Sequence, residues 1–93
     1  MNIKEKNVYI PNHRNNDSFV KKAERVLLSS GWNRKNIFKT IDTFCKIDAI
    51  IFPAGWVKSD YYMADYSYAI KSNMIIIELC GDTIKLTDNY KED

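Results

Sequence analysis

Phe52-Pro53-Ala54-Gly55-Trp56-Val57-Lys58-Ser59-Asp60-Tyr61-Tyr62-Met63-Ala64-Asp65-Tyr66-Ser67-Tyr68-Ala69-Ile70 lies between two apolar runs, residues 49–52 and 74–79. A Pro/Gly turn follows the first run and a helix-like segment precedes the second. That order reads strand, loop, helix, strand, the βαβ unit that joins two parallel strands. Open α/β sheets bind ligands in the loops at the carboxyl ends of their strands. Residues 55–59 form such a loop, and Asp65 lies one or two turns into the helix behind it. Chemistry is to be sought here.

Working outward, residues 7–10 read as a short strand stopped by Pro11, which cannot donate to a ladder. The loop Pro11-Asn12-His13-Arg14-Asn15-Asn16 has no glycine, so it is not a phosphate-cradling Gly-rich loop. Asn16 or Asp17 can cap a helix over 18–30. Phe19, Ala23, Val26, Leu27 and Ser30 fall at helical spacing, with Lys21, Lys22, Glu24 and Arg25 on the other side. Gly31 is a natural stop, and Trp32 can fold back on the last turn. Ile37, Ile41, Phe44 and Cys45 recur at helical intervals and predict a second helix ending near Lys46. A short strand at 36–39 is the competing reading. The run 47–52, broken by Asp48, predicts a buried central strand.

Beyond the quoted stretch, its helix runs from a cap at Ser59 or Asp60 to about Ser72. Tyr62, Met63, Tyr66, Ala69 and Ile70 form one broad apolar face. Asn73 ends the helix, 74–79 is a buried strand, Cys80-Gly81-Asp82 is a turn and 83–87 an edge strand. Residues 88–93 are a charged tail. The expectation is one α/β domain with its core at about 7–87. It is a small three-layer α/β/α sandwich on a mostly parallel sheet of three to four strands, with right-handed crossovers placing helices on both faces.

The chain has 93 residues, 45% of them hydrophobic, and a net charge of +2 with both signs interspersed. A chain this short buries a modest core, which favours oligomers. The weak, dispersed charge argues against a nucleic-acid partner. No apolar run approaches the roughly 20 residues of a membrane span, and no signal core follows Met1. Cys45 and Cys80 lack C-x-x-C spacing, so a reduced, cytoplasmic setting is expected. No His/Cys pattern has metal-ligand spacing, and no cofactor is expected.

Val8-Tyr9-Ile10, Asp48-Ala49-Ile50, Gly55-Trp56, Lys58-Ser59 and the Asp65-Tyr66 helix together resemble the small nucleoside 2-deoxyribosyltransferase-like proteins, especially a short branch common in bacteriophages. That branch carries Cys-Asp-Ala-Ile, then Gly-Trp-Glu-Lys-Ser, then Gly-Ala-Arg-Leu-Glu-Tyr-Glu-Leu-Ala. Gly55, Trp56, Lys58, Ser59, Tyr66 and Ala69 coincide with it. Asp65 falls on the Glu that is the nucleophile of catalytic members. The resemblance spans about 8–79, and 48–69 is its specific part. It implies a flavodoxin-like fold and cleavage of the N-glycosidic bond of deoxynucleosides or their monophosphates through a glycosyl-enzyme intermediate. It also implies sites completed by a neighbouring subunit, hence a homodimer or higher homo-oligomer. For a phage protein it implies the host cytoplasm. The sequence departs from the pattern at Pro11-Asn12-His13-Arg14, where the family has a Gly-Pro loop, and at Tyr61-Tyr62-Met63, where it has Gly-Ala-Arg. The family's Asp-containing stretch for sugar hydroxyls has only Asp42 as a substitute. Asp in place of Glu sets the carboxylate back by about one C–C bond, ~1.5 Å.

The expected site therefore centres on Asp65 as nucleophile, with Asp42, Asp48 or Asp60 as a possible second acid. Ligand-binding residues would be His13, Arg14, Gly55, Trp56, Lys58, Ser59 and Tyr61. Arg14 suits a bidentate phosphate contact, and Lys58 and Ser59 suit a phosphate or carboxylate at a helix start. Ser59 is equally an ordinary N-cap. Trp56 either stacks on a base or lids the core. Tyr61 and Tyr68 share the Asp65 face and could line a pocket, whereas Tyr62 and Tyr66 suit core or subunit contact. Asp48 and Cys45 read as structural. A second function class stays open: a catalytically silent interaction protein that sequesters a nucleotide signal or inhibits a host protein through its Tyr-rich surface.

Overall fold

The computed structural model describes residues 3–13, 17–40 and 46–86. The elements are β1 (Val8–Tyr9), α1 (Asp17–Ser29), β2 (Ile37–Phe38), β3 (Ala49–Pro53), α2 (Asp60–Lys71), β4 (Ile75–Cys80) and β5 (Thr83–Leu86). Single turns of 3-10 helix occupy Ile3–Glu5, Arg34–Asn36 and Trp56–Lys58. The protein is an α/β fold on one sheet, ordered β2-β1-β3-β4-β5. β1 to β4 are mutually parallel, with Val8 opposite both Ile37 and Ala49, and Ala49 opposite Ile75. β5 returns antiparallel through the tight turn at Gly81.

The sheet has five strands, one more than the upper expectation, because Ile37–Phe38 is a strand and not the start of a helix. The 3-10 turn at Arg34–Asn36 uses up the linker and delivers a β-branched and an aromatic residue to the free edge of β1. The Ile10 amide then donates to the Phe38 carbonyl at 2.8 Å. The helical periodicity rested on Ile41, Phe44 and Cys45, which lie outside the described residues, as do Asp42 and the tail 88–93.

Both helices end where short-range rules place them. The Gly31 amide bonds to the Leu28 carbonyl at 3.1 Å and the Trp32 amide to the Leu27 carbonyl at 3.0 Å. That pair is a Schellman closure, with Trp32 buried beside Leu27 as its apolar clasp. Gly31 has φ +107°, and an added Cβ would stand 3.0 Å from the Lys4 Cδ. Lys4 can swing aside; the backbone cannot. Gly31→Ala is therefore expected to cost about 1–2 kcal/mol, read as a lower urea midpoint at unchanged slope. Asn73, at φ 59°, closes α2 in the same way, with the Met74 amide on the Ala69 carbonyl at 2.9 Å.

The core lies along β3. Ala49, Ile50, Ile51 and Phe52 are all buried, so successive side chains are covered on both faces of this strand. Val8, Ile10, Pro11, Ala23, Leu27, Ala69, Ile76 and Ile77 are likewise fully covered. α2 buries a narrower stripe than its sequence suggests. Tyr62 and Ala69 are buried and Tyr66 is partly so, but Met63 and Ile70 are exposed at 38% and 43%. They project about a quarter-turn from the buried line, beyond the reach of β3.

At the amino ends of the strands, Asn7 and Asp48 lock β1 to β3. The Asn7 amide donates to Asp48 Oδ2 at 3.1 Å, and the Asp48 and Ala49 amides both donate to the Asn7 carbonyl. The Asn36 side chain donates to Asn7 Oδ1 at 2.8 Å, tying in β2. Asp48 thus serves backbone groups. No helix among the described residues is long and apolar enough to cross a membrane.

Candidate functional site

The strand order fixes where a site can form. From β1 the chain moves outward to β2, returns past β1 to β3, and moves outward the other way to β4. The direction of winding reverses between β1 and β3. In open α/β sheets a reversal of this kind, at the carboxyl ends of two parallel neighbours, is the place where ligands are held. The β1 loop carries His13. The β3 loop carries Gly55 to Ser59 and leads into α2, which carries Asp65.

A side-chain contact joins the β1 loop to α2. His13 Nε2 is hydrogen-bonded to Asp65 Oδ2, across 52 residues of sequence, and both side chains are about one-quarter exposed. The imidazole is held on two further sides by the first turn of α2. The Tyr62 ring meets it edge-on at 5.0 Å, and the Tyr61 ring lies tilted at 5.6 Å. Tyr61, Tyr62 and Asp65 reach one imidazole because positions i and i+4 of a helix share a face and i+1 borders it.

Two phenols sense the Asp65 carboxylate. Tyr62 is pushed up to about 12, first by burial and then by the negative charge of Asp65. Tyr9 is raised by the same two causes in the same order, opposed by a hydrogen bond from the Asn12 backbone. Both stay protonated at neutral pH. The raised value stabilises the folded state below pH 10.0, and this contribution is lost as the pH climbs towards about 12. Over that window the wild type is expected to lose on the order of 2 kcal/mol more than Tyr62→Phe, measured by urea unfolding at both ends.

The other expected residues divide by position. Trp56 is buried, stacked on Phe52 at 4.7 Å and 22° and tilted against Tyr66 at 4.9 Å, so its ring is packed into the core. Gly55 has φ +79° and open space about its Cα, and Lys58 is exposed on the 3-10 turn beside it. Ser59 takes the N-cap position of α2 with extended backbone, but its hydroxyl makes no capping bond. Tyr61 is 70% exposed. Arg14 lies outside the described residues. Asp60 is exposed at the start of α2, and Asp48 is at the opposite end of β3.

The sequence placed His13 and Asp65 in one expected site but gave no contact between them. It passed over Tyr9 as a site residue and gave Tyr62 to core or subunit contact. The available signal was that Tyr9 is the last residue of a strand whose carboxyl end adjoins that of β3. Among the described residues no three His, Cys, Asp or Glu side chains come together as a metal site.

A half-buried carboxylate held by an imidazole and bordered by neutral phenols can attack an electrophilic carbon or hold a sugar hydroxyl. No protein-family model matches the chain, and no significant match to a curated protein or a solved structure was found.

Proposed function

We propose that the protein is a nucleoside- or nucleotide-binding domain of the nucleoside 2-deoxyribosyltransferase-like kind, with Asp65 as the nucleophile in cleavage of an N-glycosidic bond. The observation that carries this reading is the His13–Asp65 contact at the winding reversal between β1 and β3. A flavodoxin-like three-layer arrangement is part of the proposal. The order β2-β1-β3-β4-β5 is the flavodoxin-like one, and burial of β3 on both faces supports a helix layer on each side. The antiparallel β5 is a departure from that pattern.

In the first step an Asp65 oxygen bonds to the anomeric carbon of a deoxynucleoside or its monophosphate. The carbon–nitrogen bond breaks, and its electron pair leaves with the base, which takes a proton from solvent. In the second step water attacks the same carbon, the ester to Asp65 breaks with its electrons returning to the carboxylate, and the water proton goes to solvent. On this reading Lys58, Ser59 and the loop at Gly55 would receive the 5′-phosphate.

The test is incubation of the protein with each deoxynucleoside and deoxynucleoside monophosphate, followed by chromatography for free base. Released base supports the reading. A thermal shift with nucleotide and no released base reduces it to a binding domain, and neither effect removes it.

A second reading has its own observation. Val57, Tyr61, Met63, Tyr68 and Ile70 are exposed apolar side chains on α2 and the turn before it, a composition suited to protein contact. On this reading the domain is a catalytically silent interaction protein, docking on a second copy of itself or on a host protein in the host cytoplasm. Light scattering of the purified chain, with and without Tyr68→Glu, tests the self-association arm: a wild-type dimer dispersed by Tyr68→Glu supports it, and a monomer removes it.

A further inference from the structure

We infer that His13 is the positioning residue for Asp65, the group that holds one carboxylate oxygen so that the other is presented to the anomeric carbon. The inference rests on the N-glycosidic reading of the site. An aspartate turns easily about its last torsion, which is broad and roughly two-fold. Attack by one oxygen therefore needs the other held. His13 Nε2 binds Oδ2, and among the described residues Oδ1 makes no hydrogen bond. The histidine is itself fixed: the edge-on ring of Tyr62 and the tilted ring of Tyr61 border the imidazole while its nitrogen meets Asp65. A merely solvated loop histidine would lack all three contacts.

The contact adds little to stability. Both partners are about one-quarter exposed, and a pair so open to water is worth about 0–1 kcal/mol. Its larger effect is on orientation, where a misplacement of the order of 1 Å costs about a hundredfold in rate. The phenols of Tyr9 and Tyr62, both raised in part by Asp65, lie around the same carboxylate. As neutral groups they do not compete with Asp65 as nucleophiles.

The experiment compares base release by the wild type, His13→Ala, His13→Gln and Asp65→Ala, with a melting curve for each. Glutamine places an amide N–H near the position of Nε2. The expected result is a fall in kcat of about a hundredfold in His13→Ala with KM nearly unchanged, and recovery of at least tenfold in His13→Gln. His13→Ala with wild-type kcat, beside an inactive Asp65→Ala, overturns the inference and leaves the N-glycosidic reading standing. Equal loss in both His13 variants with equally lowered melting points also overturns it, by making His13 structural. A wild type that releases no base from any substrate overturns the N-glycosidic reading and this inference together.

Discussion

Asp65→Ala is expected to lower base release by at least about a thousandfold while the chain stays folded. On the proposed N-glycosidic reading the carboxylate supplies the electron pair that displaces the base, and alanine has none to offer. Its structural contribution is small, because its one described hydrogen bond joins it to His13 in a pair open to water. A loss of up to about 1 kcal/mol moves the melting temperature of a domain this size by no more than about 8 °C. A second readout follows from electrostatics. Tyr62 is raised first by burial and then by Asp65. In Asp65→Ala the phenol should titrate lower than in the wild type, yet still above the ordinary value of 10.0, as followed by ultraviolet absorbance. Release undiminished in Asp65→Ala would show that the chemistry resides elsewhere. An unmoved Tyr62 would show that the carboxylate does not face it.

How much of this was legible in the sequence depended on how local each cause is. α1 and α2 could be read because Gly31, Trp32 and Asn73 act within one turn of the helix they end. β3 could be read because a strand buried on both faces is a continuous apolar run, and β4 from the shorter run Ile75-Ile76-Ile77 before Glu78. β2 is different. Its two residues form a strand only because β1 offers a free edge to Ile37 and Phe38, and the spacing from Ile37 to Cys45 imitates a helix. Tertiary pairing overrides periodicity when an element is so short.

The site shows the same division. A histidine after the first strand and an aspartate behind the Pro/Gly loop could each be placed at strand ends from the sequence. Their contact could not, because it depends on β1 and β3 being neighbours, which follows from the order of the whole sheet. Trp56 was open between base stacking and lidding the core, and its position against Phe52 is decided by a ring that only the folded strand presents. By helical spacing Met63 and Ile70 suit either the core or a subunit contact, and their exposure removes the first. Their exposure follows from how narrow a stripe of α2 the sheet can cover.

Phe52→Ala should be the most destabilising single truncation near the site. Phe52 is fully buried, stacked against Trp56 and met edge-on by Tyr62 at 5.8 Å. Removing the ring leaves a cavity under both aromatics, and such truncations cost about 3–5 kcal/mol. Domains of this size hold roughly 5–14 kcal/mol of net stability, so the loss is a large fraction of the whole. It should appear as a drop in melting temperature on the order of 20 °C. The consequence for the site runs through Tyr62, whose ring meets both Phe52 and the His13 imidazole edge-on. Phe52→Leu refills much of the volume and is expected to cost less than half as much, while keeping Tyr62 in place. Phe52→Ala, Phe52→Leu and Asp65→Ala thus form a series in which stability and base release move separately. The Phe52 variants should lose activity only in step with the folded fraction and the placing of Tyr62, and Asp65→Ala should lose it while folded. A Phe52→Ala protein as stable as the wild type would mean that Trp56 and Tyr62 do not close on this ring, and the packing that supports the His13–Asp65 contact would then need another source.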